Sequence, residues 1–171
     1  GCNGRMGQSV IACSEPDEAI EIGARIDIGD CLETALDQCD AVIDFSFHTF
    51  TTQLVTACLT KEKPVVIGTT GHSEQELQAI KGSASGIPLV MSPNFSVGVN
   101  MLFWLTRKTT AILGAGYDLE VVEMHHRMKQ DSPSGTAKHL GEILAEATGL
   151  SYKDDTRHGR RTHSRNFLMR F

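Results

Sequence analysis

The chain has 171 residues with a formal net charge of −5, 40% of them hydrophobic and 22% charged. That composition fits one globular domain of ordinary size or two small ones, and its acidic balance argues against nucleic acid or a membrane surface as the general partner. No apolar run reaches the roughly 20 residues of a membrane-spanning helix. Five cysteines (Cys2, Cys13, Cys31, Cys39 and Cys58) are scattered without a C-x-x-C pair. Neither a disulfide framework nor a metal site is expected from such a set, and a reducing, cytoplasmic compartment suits it.

From the first residue onward, helical and strand patterns alternate. A helix is expected over Arg5–Ser14, stopped near Pro16. The stretch AIEIGARID (Ala19–Asp27) reads as a strand and is followed by a short helix around Leu32–Gln38. DAVIDFS (Asp40–Ser46) reads as the next strand, with a helix over Thr49–Thr60 behind it. PVVIGTT (Pro64–Thr70) is an almost continuous apolar run, as expected of a strand buried on both faces. Ser73-Glu74-Gln75-Glu76 fits a capping box, so a helix should start there and run to about Ser83. IPLVMSP (Ile87–Pro93) reads as another buried strand. Strands and helices alternating at this spacing predict crossover units and a parallel α/β sheet.

Beyond Pro93 the pattern changes, and a domain boundary is expected near Ser96: a nucleotide-binding domain over 1–96 and a second, α+β domain over 97–171. Val97, Met101, Leu105 and Ile112 recur at helical spacing and predict a long amphipathic helix. Tyr117–His126 (YDLEVVEMHH) reads as a strand. A helix over Ser134–Thr148 follows, ended by Gly149.

The opening residues GCNGRMG place Gly1, Gly4 and Gly7 at G-x-x-G-x-x-G spacing. Such a turn brings backbone N–H groups and a helix N-terminus against a pyrophosphate. On its own the pattern is weak, since three glycines in seven residues often only make a turn. Asp27, at the end of the next expected strand, strengthens it, because a carboxylate there accepts hydrogen bonds from a ribose diol. Two further strand ends, Gly68-Thr69-Thr70 and Ser92-Pro93-Asn94-Phe95, lie where ligands of open α/β sheets collect. For Asn94, lining the nicotinamide and capping a loop are equally natural.

The densest chemistry is EMHHRMKQDSPSGTA, Glu123–Ala137. Imidazole is the side chain best matched to proton transfer near neutral pH, and His125 and His126 adjoin Lys129. Ser-Pro-Ser-Gly-Thr supplies hydroxyls and free N–H groups at a helix start, an anion pocket. The segment reads as a receptor for a small anion, a carboxylate above all, with proton donors beside it. The residues alone lead to a nucleotide-dependent reductase of a small acid. Another Rossmann dehydrogenase of a small carboxylic acid and a non-catalytic nucleotide-binding fragment stand as the alternatives.

Taken in order, GxxGRMG, VIDFS, VVIGTTG, PNFSVGVN and EMHHRMKQDSPSGTA resemble the dihydrodipicolinate reductase family, also called 4-hydroxy-tetrahydrodipicolinate reductase. The resemblance runs from Gly1 to about Arg160. It implies a Rossmann-like doubly wound parallel sheet and NADH- or NADPH-dependent reduction of a cyclic dicarboxylate in lysine and diaminopimelate biosynthesis. It further implies proton transfer by His125 and Lys129, substrate binding by His126, Gly135 and Thr136, and a homotetramer in the complete family protein. The cofactor would be held by Gly1, Cys2, Asn3, Gly4, Arg5, Met6, Asp27, Gly68, Thr69, Thr70, Ser92, Pro93, Asn94 and Phe95. Against the family's pattern, the first strand ahead of the glycine loop is absent and the tail RTHSRNFLMRF is unfamiliar. Truncation at both ends, with a cut or frame shift near Arg160, is therefore expected in preference to a basic nucleic-acid-binding tail. On that expectation, EIGARID and VVIGTT face a gap where a central strand belongs, and this chain by itself is a poor catalyst.

Overall fold

The computed structural model describes residues 1–129 and 132–158 and the backbone of 169–170. Two compact units divide the chain, Gly1–Ser92 and Pro93–Phe171, each with its own apolar cluster.

The first unit is built on a three-stranded parallel sheet, β1 (Val42–Asp44), β2 (Val65–Ile67) and β3 (Leu89–Met91), in the order β1-β2-β3. Val42 stands opposite Val65, and Val65 opposite Leu89. Its helices are α1 (Arg5–Ser14), α2 (Leu32–Leu36), α3 (His48–Thr60) and α4 (Glu74–Ser83). Paired on both edges, β2 is the most buried strand, with Val65 and Ile67 at 1% and 0% exposure. Leu32, Leu36, Leu54, Val55, Cys58, Ile80 and Ile87 complete the core around it. The capping box expected at Ser73 is present. The Ser73 hydroxyl accepts from the Glu76 N–H (3.3 Å) while the Glu76 carboxylate accepts from the Ser73 N–H (2.6 Å).

Three expectations for this unit need correction. Ile87–Pro93 is not a fully buried strand. β3 pairs only with β2, and Val90 and Met91 stay exposed. Ala19–Asp27 forms no ladder, because strand geometry needs a partner backbone about 4.8 Å away and a cavity of about 580 Å³ lies beside it instead. That cavity is lined by Ala19–Ile26 on one side and Asp40–Ser46 on the other. The segment is tied at its start, where Asp17 accepts from the Ala19 N–H (3.0 Å) and the Ile20 N–H (3.1 Å), and at its end, where the Ile26 carbonyl accepts from the Gly1 amino group (2.8 Å) and the Cys2 N–H (3.0 Å). The expected gap therefore faces β1, whereas the VVI of VVIGTT is paired on both sides.

The second unit packs α5 (Val97–Leu113) against α6 (Gly135–Thr148), with a 3-10 turn at Gly114–Gly116, a short α7 (Tyr152–Asp155), and β4 (Thr156–Arg157) parallel to β5 (Met169–Arg170). Ser134 caps α6, its hydroxyl accepting from the Ala137 N–H (3.1 Å). Gly149 ends the helix at φ 70°, a backbone that L side chains rarely adopt. The apolar stripe of α5 faces outward within this unit: Val97 and Ile112 are each 83% exposed, and Met101 and Leu105 about half so. The buried positions of α5 are Phe103 and Thr110. α5 meets α6 through an edge-on Phe103–His139 contact (centroids 4.7 Å apart) and an Arg107–Glu146 ion pair.

Tyr117–His126 is not a strand, apart from an isolated bridge at Glu120. Burial nevertheless alternates as on a strand. Leu119 and Val121 pack on Leu144 and Ala145 of α6, whereas Val122 and Met124 are 84% and 92% exposed. One face has found a helix, but among the described residues the edges have found no ladder. The tail after Arg160 lies outside the described residues except for the backbone of β5.

Candidate functional site

In the first unit the site is built where α1, the segment ending at Asp27, and the ends of β1 and β2 converge. A Cβ on Gly1 would sit 2.4 Å from the Phe45 carbonyl oxygen, and one on Gly7 would sit 2.3 Å from the Gly1 carbonyl oxygen. Both glycines are thus demanded by backbone packed on backbone. Gly4 is the N-cap of α1, with no side-chain cap and no acidic residue in the first turn. The positive end of a ten-residue helix is left to its own N–H groups, which suits an anion. The Asn3 N–H, inside the glycine loop, donates to Asp27 Oδ2 (2.8 Å), and the Ile28 N–H donates to Oδ1 (2.8 Å). These two bonds, the Asn3 one first, hold the Asp27 carboxyl below the usual range. Glycine cradle, uncapped helix end and ionised aspartate together fit a dinucleotide's pyrophosphate and ribose diol.

Beside the cradle lies a buried polar knot. Asp44 is 3% exposed at the end of β1. Its Oδ1 accepts from the Ser46 N–H (3.0 Å) and hydroxyl, and its Oδ2 from the hydroxyls of Thr51 (2.9 Å) and Thr69 (2.9 Å). Thr69 also accepts from the Ser46 N–H (2.9 Å) and is 6% exposed. Its hydroxyl is thus spent inside the protein, leaving the backbone around it and the exposed Thr70 to face a ligand. Gly68 lies under the Phe45 ring, where a Cβ would meet the ring at 2.1 Å. Nearby, His48 Nδ1 is 3.1 Å from Glu76 Oε1, linking the start of α3 to the cap of α4.

In the second unit, Asn94 Oδ1 accepts from the Ser96 N–H (2.8 Å) and its carbonyl from the Asn100 side chain (2.9 Å), so it organises the entry to α5. His125 Nε2 is 2.6 Å from Glu123 Oε2, and Glu123 Oε1 accepts from the Ser134 N–H (2.9 Å). Burial pushes the Glu123 carboxyl up, but the Ser134 and His125 bonds outweigh it and the net direction is down. The carboxylate thus ties the imidazole to the start of α6. The chain turns over His126–Lys129, where the Lys129 N–H donates to the His126 carbonyl (3.1 Å) and His126 Nδ1 accepts from the Met128 N–H (3.2 Å). α6 carries no acidic residue in its first turn, where Gly135 and Thr136 stand.

The family model for the dihydrodipicolinate reductase N-terminus matches residues 1–95, and that for the C-terminus matches 98–167. This chain belongs to the dihydrodipicolinate reductase family. It is 49% identical over 160 residues to the 4-hydroxy-tetrahydrodipicolinate reductase of Akkermansia muciniphila, covering 94% of this chain and 65% of that one. The counterpart from Hahella chejuensis is 37% identical over 183 residues, covering 94% and 68%. Among solved structures, a dipicolinate-bound dihydrodipicolinate reductase from Paenisporosarcina sp. TG-14 superimposes with a TM-score of 0.69 at 25% identity, covering 97% of this chain and 68% of that one. The chain therefore spans about two thirds of the length of these relatives, and the likeness supports the Rossmann-like α/β fold.

Of the fourteen positions that the family resemblance assigns to the cofactor, the first unit gathers Gly1, Cys2, Asn3, Gly4, Arg5, Met6 and Asp27 around the cradle. Gly68, Thr69 and Thr70 lie beside it, joined through Phe45. Ser92 closes that unit, its N–H donating to the Ile67 carbonyl (3.2 Å), while Pro93, Asn94 and Phe95 begin the second. Sequence reading passed over two acids that hold these groups in place. Asp44 had only its position as a charge ending an apolar run, and Glu123 its spacing two residues before His125.

Proposed function

We propose that this chain carries the nicotinamide-nucleotide site, over 1–96, and part of the substrate and proton-transfer site, over 97–171, of a cytoplasmic 4-hydroxy-tetrahydrodipicolinate reductase of lysine and diaminopimelate biosynthesis. The supporting observation is the cradle: two glycines with no room for a Cβ, an acid-free helix N-terminus, and Asp27 bonded into the loop. The relatives' names supply the substrate, and the dipicolinate in the solved relative supports a planar cyclic dicarboxylate. When bound, the nicotinamide supplies a hydride. His125, oriented by Glu123, gives and takes the proton, and Lys129 donates one. The first-turn N–H groups at Gly135 and Thr136, with His126, hold a carboxylate. Assembly as a homotetramer belongs to the same reading, supported by the exposed stripe of α5.

NADH should be used at least as well as NADPH. Asp27 stays ionised and repels a 2′-phosphate, and the neighbouring Ile28 is fully exposed and offers no cation. Calorimetric titration of the chain with NADH, NADPH and dipicolinate tests the proposal. Failure to bind either nucleotide or dipicolinate overturns it, and a strong preference for NADPH overturns the reading of Asp27. In a turnover assay of the complete protein, His125→Ala should lower the rate by about 10²–10⁴ with cofactor affinity unchanged, as for loss of a general acid–base group. Lys129→Ala should also cripple it.

A further inference from the structure

Burying a carboxylate costs free energy unless hydrogen bonds replace its water. Asp44 is buried at 3% exposure among donors that are all neutral: one backbone N–H and three hydroxyls. The donors come from three places, namely the β1–α3 loop (Ser46), the first turn of α3 (Thr51) and the β2–α4 loop (Thr69). A fourth tie is main-chain, the Gly68 N–H donating to the Asp44 carbonyl (2.8 Å). Thr51, at 0% exposure, is buried more deeply than the acid, and Thr69, at 6%, nearly as deeply. A fully satisfied buried network of this kind rigidifies its surroundings and fixes one arrangement of them. What it fixes is specific. Thr69 sits between Gly68 and Thr70, and Ser46 follows Phe45, whose carbonyl oxygen abuts Gly1 and whose ring covers Gly68. The Gly68–Thr70 ledge is thus referenced to this carboxylate directly, and the glycine cradle through Phe45.

We infer that Asp44 is a positioning residue for nucleotide binding, and that Thr69 acts through its hydroxyl as the tie to Asp44 and not as a ligand to the cofactor. Asp44 touches no ligand. It sets the separation between the glycine cradle and the Gly68–Thr70 ledge, and a displaced ledge loses affinity even in a well-folded protein. This rests on the nucleotide-site reading above.

Four forms of the full chain are compared for NADH affinity by calorimetry, well below their melting temperatures: the wild type, Asp44→Asn, Thr69→Val and Thr69→Ser. Thr69→Val keeps the shape and loses the hydroxyl, whereas Thr69→Ser keeps the hydroxyl and loses a methyl. Expected is about a tenfold or greater weakening for Thr69→Val and Asp44→Asn, from donors left unpaired or misdirected, with near-native affinity for Thr69→Ser. A structural role alone would lower the melting temperature of Thr69→Val and leave its affinity unchanged, and that result overturns the inference. Equal weakening by Thr69→Ser and Thr69→Val overturns the tie. If Asp44→Asn does not fold, the threonine pair still decides. A wild type that binds no nicotinamide nucleotide removes the nucleotide-site reading itself, and the inference with it.

Discussion

Residues 42–91 and residues 117–129 began with the same promise, apolar runs ending in polar, chemistry-bearing residues, and came out differently. In the first stretch β1 and β2 are each followed by a helix of the same unit, and β2 finds a strand partner on both edges. In the second, Tyr117–His126 lies against α6 on one face, with Leu119 and Val121 inward, but among the described residues no ladder holds its edges. Alternating burial makes a segment adhere, but only paired backbone makes it a strand. The proposed proton-transfer group His125 is held by the Glu123 carboxylate, where Thr69 is held by a buried knot at the end of a paired strand.

Four changes sharpen or break that contrast. Ile67→Ala, at the fully buried centre of β2, should destabilise the first unit by about 2–5 kcal/mol in denaturant unfolding. A much smaller loss would mean that the sheet is looser than its burial implies. Ser73→Ala removes the α4 cap and should cost about 1 kcal/mol by the same measurement.

Glu76→Gln should act chiefly on pH dependence. The Ser73 N–H and then His48 hold the Glu76 carboxyl down at about 2, against an ordinary value of 4.5. Because the folded state binds this proton less readily than the unfolded one, stability is full above pH 4.5 and falls as pH drops from there toward 2. The glutamine variant should flatten part of that acid limb, with Asp27, also lowered, supplying some of the remainder. An unchanged acid limb would show that the cap is not formed in solution. The smallest effect belongs to the outward face of the 117–129 segment. Met124→Ala, at a side chain 92% exposed, should shift stability by less than about 0.5 kcal/mol. A larger loss would reveal packing on that side chain.

What was legible in the sequence was local. The helices from Arg5, Ser73 and Ser134, the Ser73–Glu76 cap and the Gly149 stop each depend on residues within a few positions of one another, and each is present. Ala19–Asp27 and Tyr117–His126 have the composition of strands, but a strand is completed by a distant partner that composition does not report. The long helix read from the apolar spacing of Val97, Met101, Leu105 and Ile112 is present, with that stripe exposed. Period alone marks an apolar face without saying what covers it, and the residues α5 turns to α6 are Phe103 and Arg107, which meet His139 and Glu146. At the site, the glycine spacing and Asp27 were readable, whereas the Asp44–Thr69 bond joins residues 25 apart and was not. Thr69 was readable only as part of the Gly68–Thr70 strand end assigned to the cofactor.

The sequential order β1-β2-β3 bears on how the first unit opens. Because each neighbour in the sheet is also the next strand along the chain, its contacts close short loops, and such topologies form and re-form quickly. Amides of β2, protected by a strand on each side, can exchange with solvent only when a flanking strand leaves, and no single-residue fluctuation suffices. Val65, Val66 and Ile67 should therefore exchange together at the slowest rate in the unit, while the amides of Ile20–Ile26, which lack a ladder, exchange independently and fast. A ligand that bridged the cradle and the Gly68–Thr70 ledge would couple those two clocks.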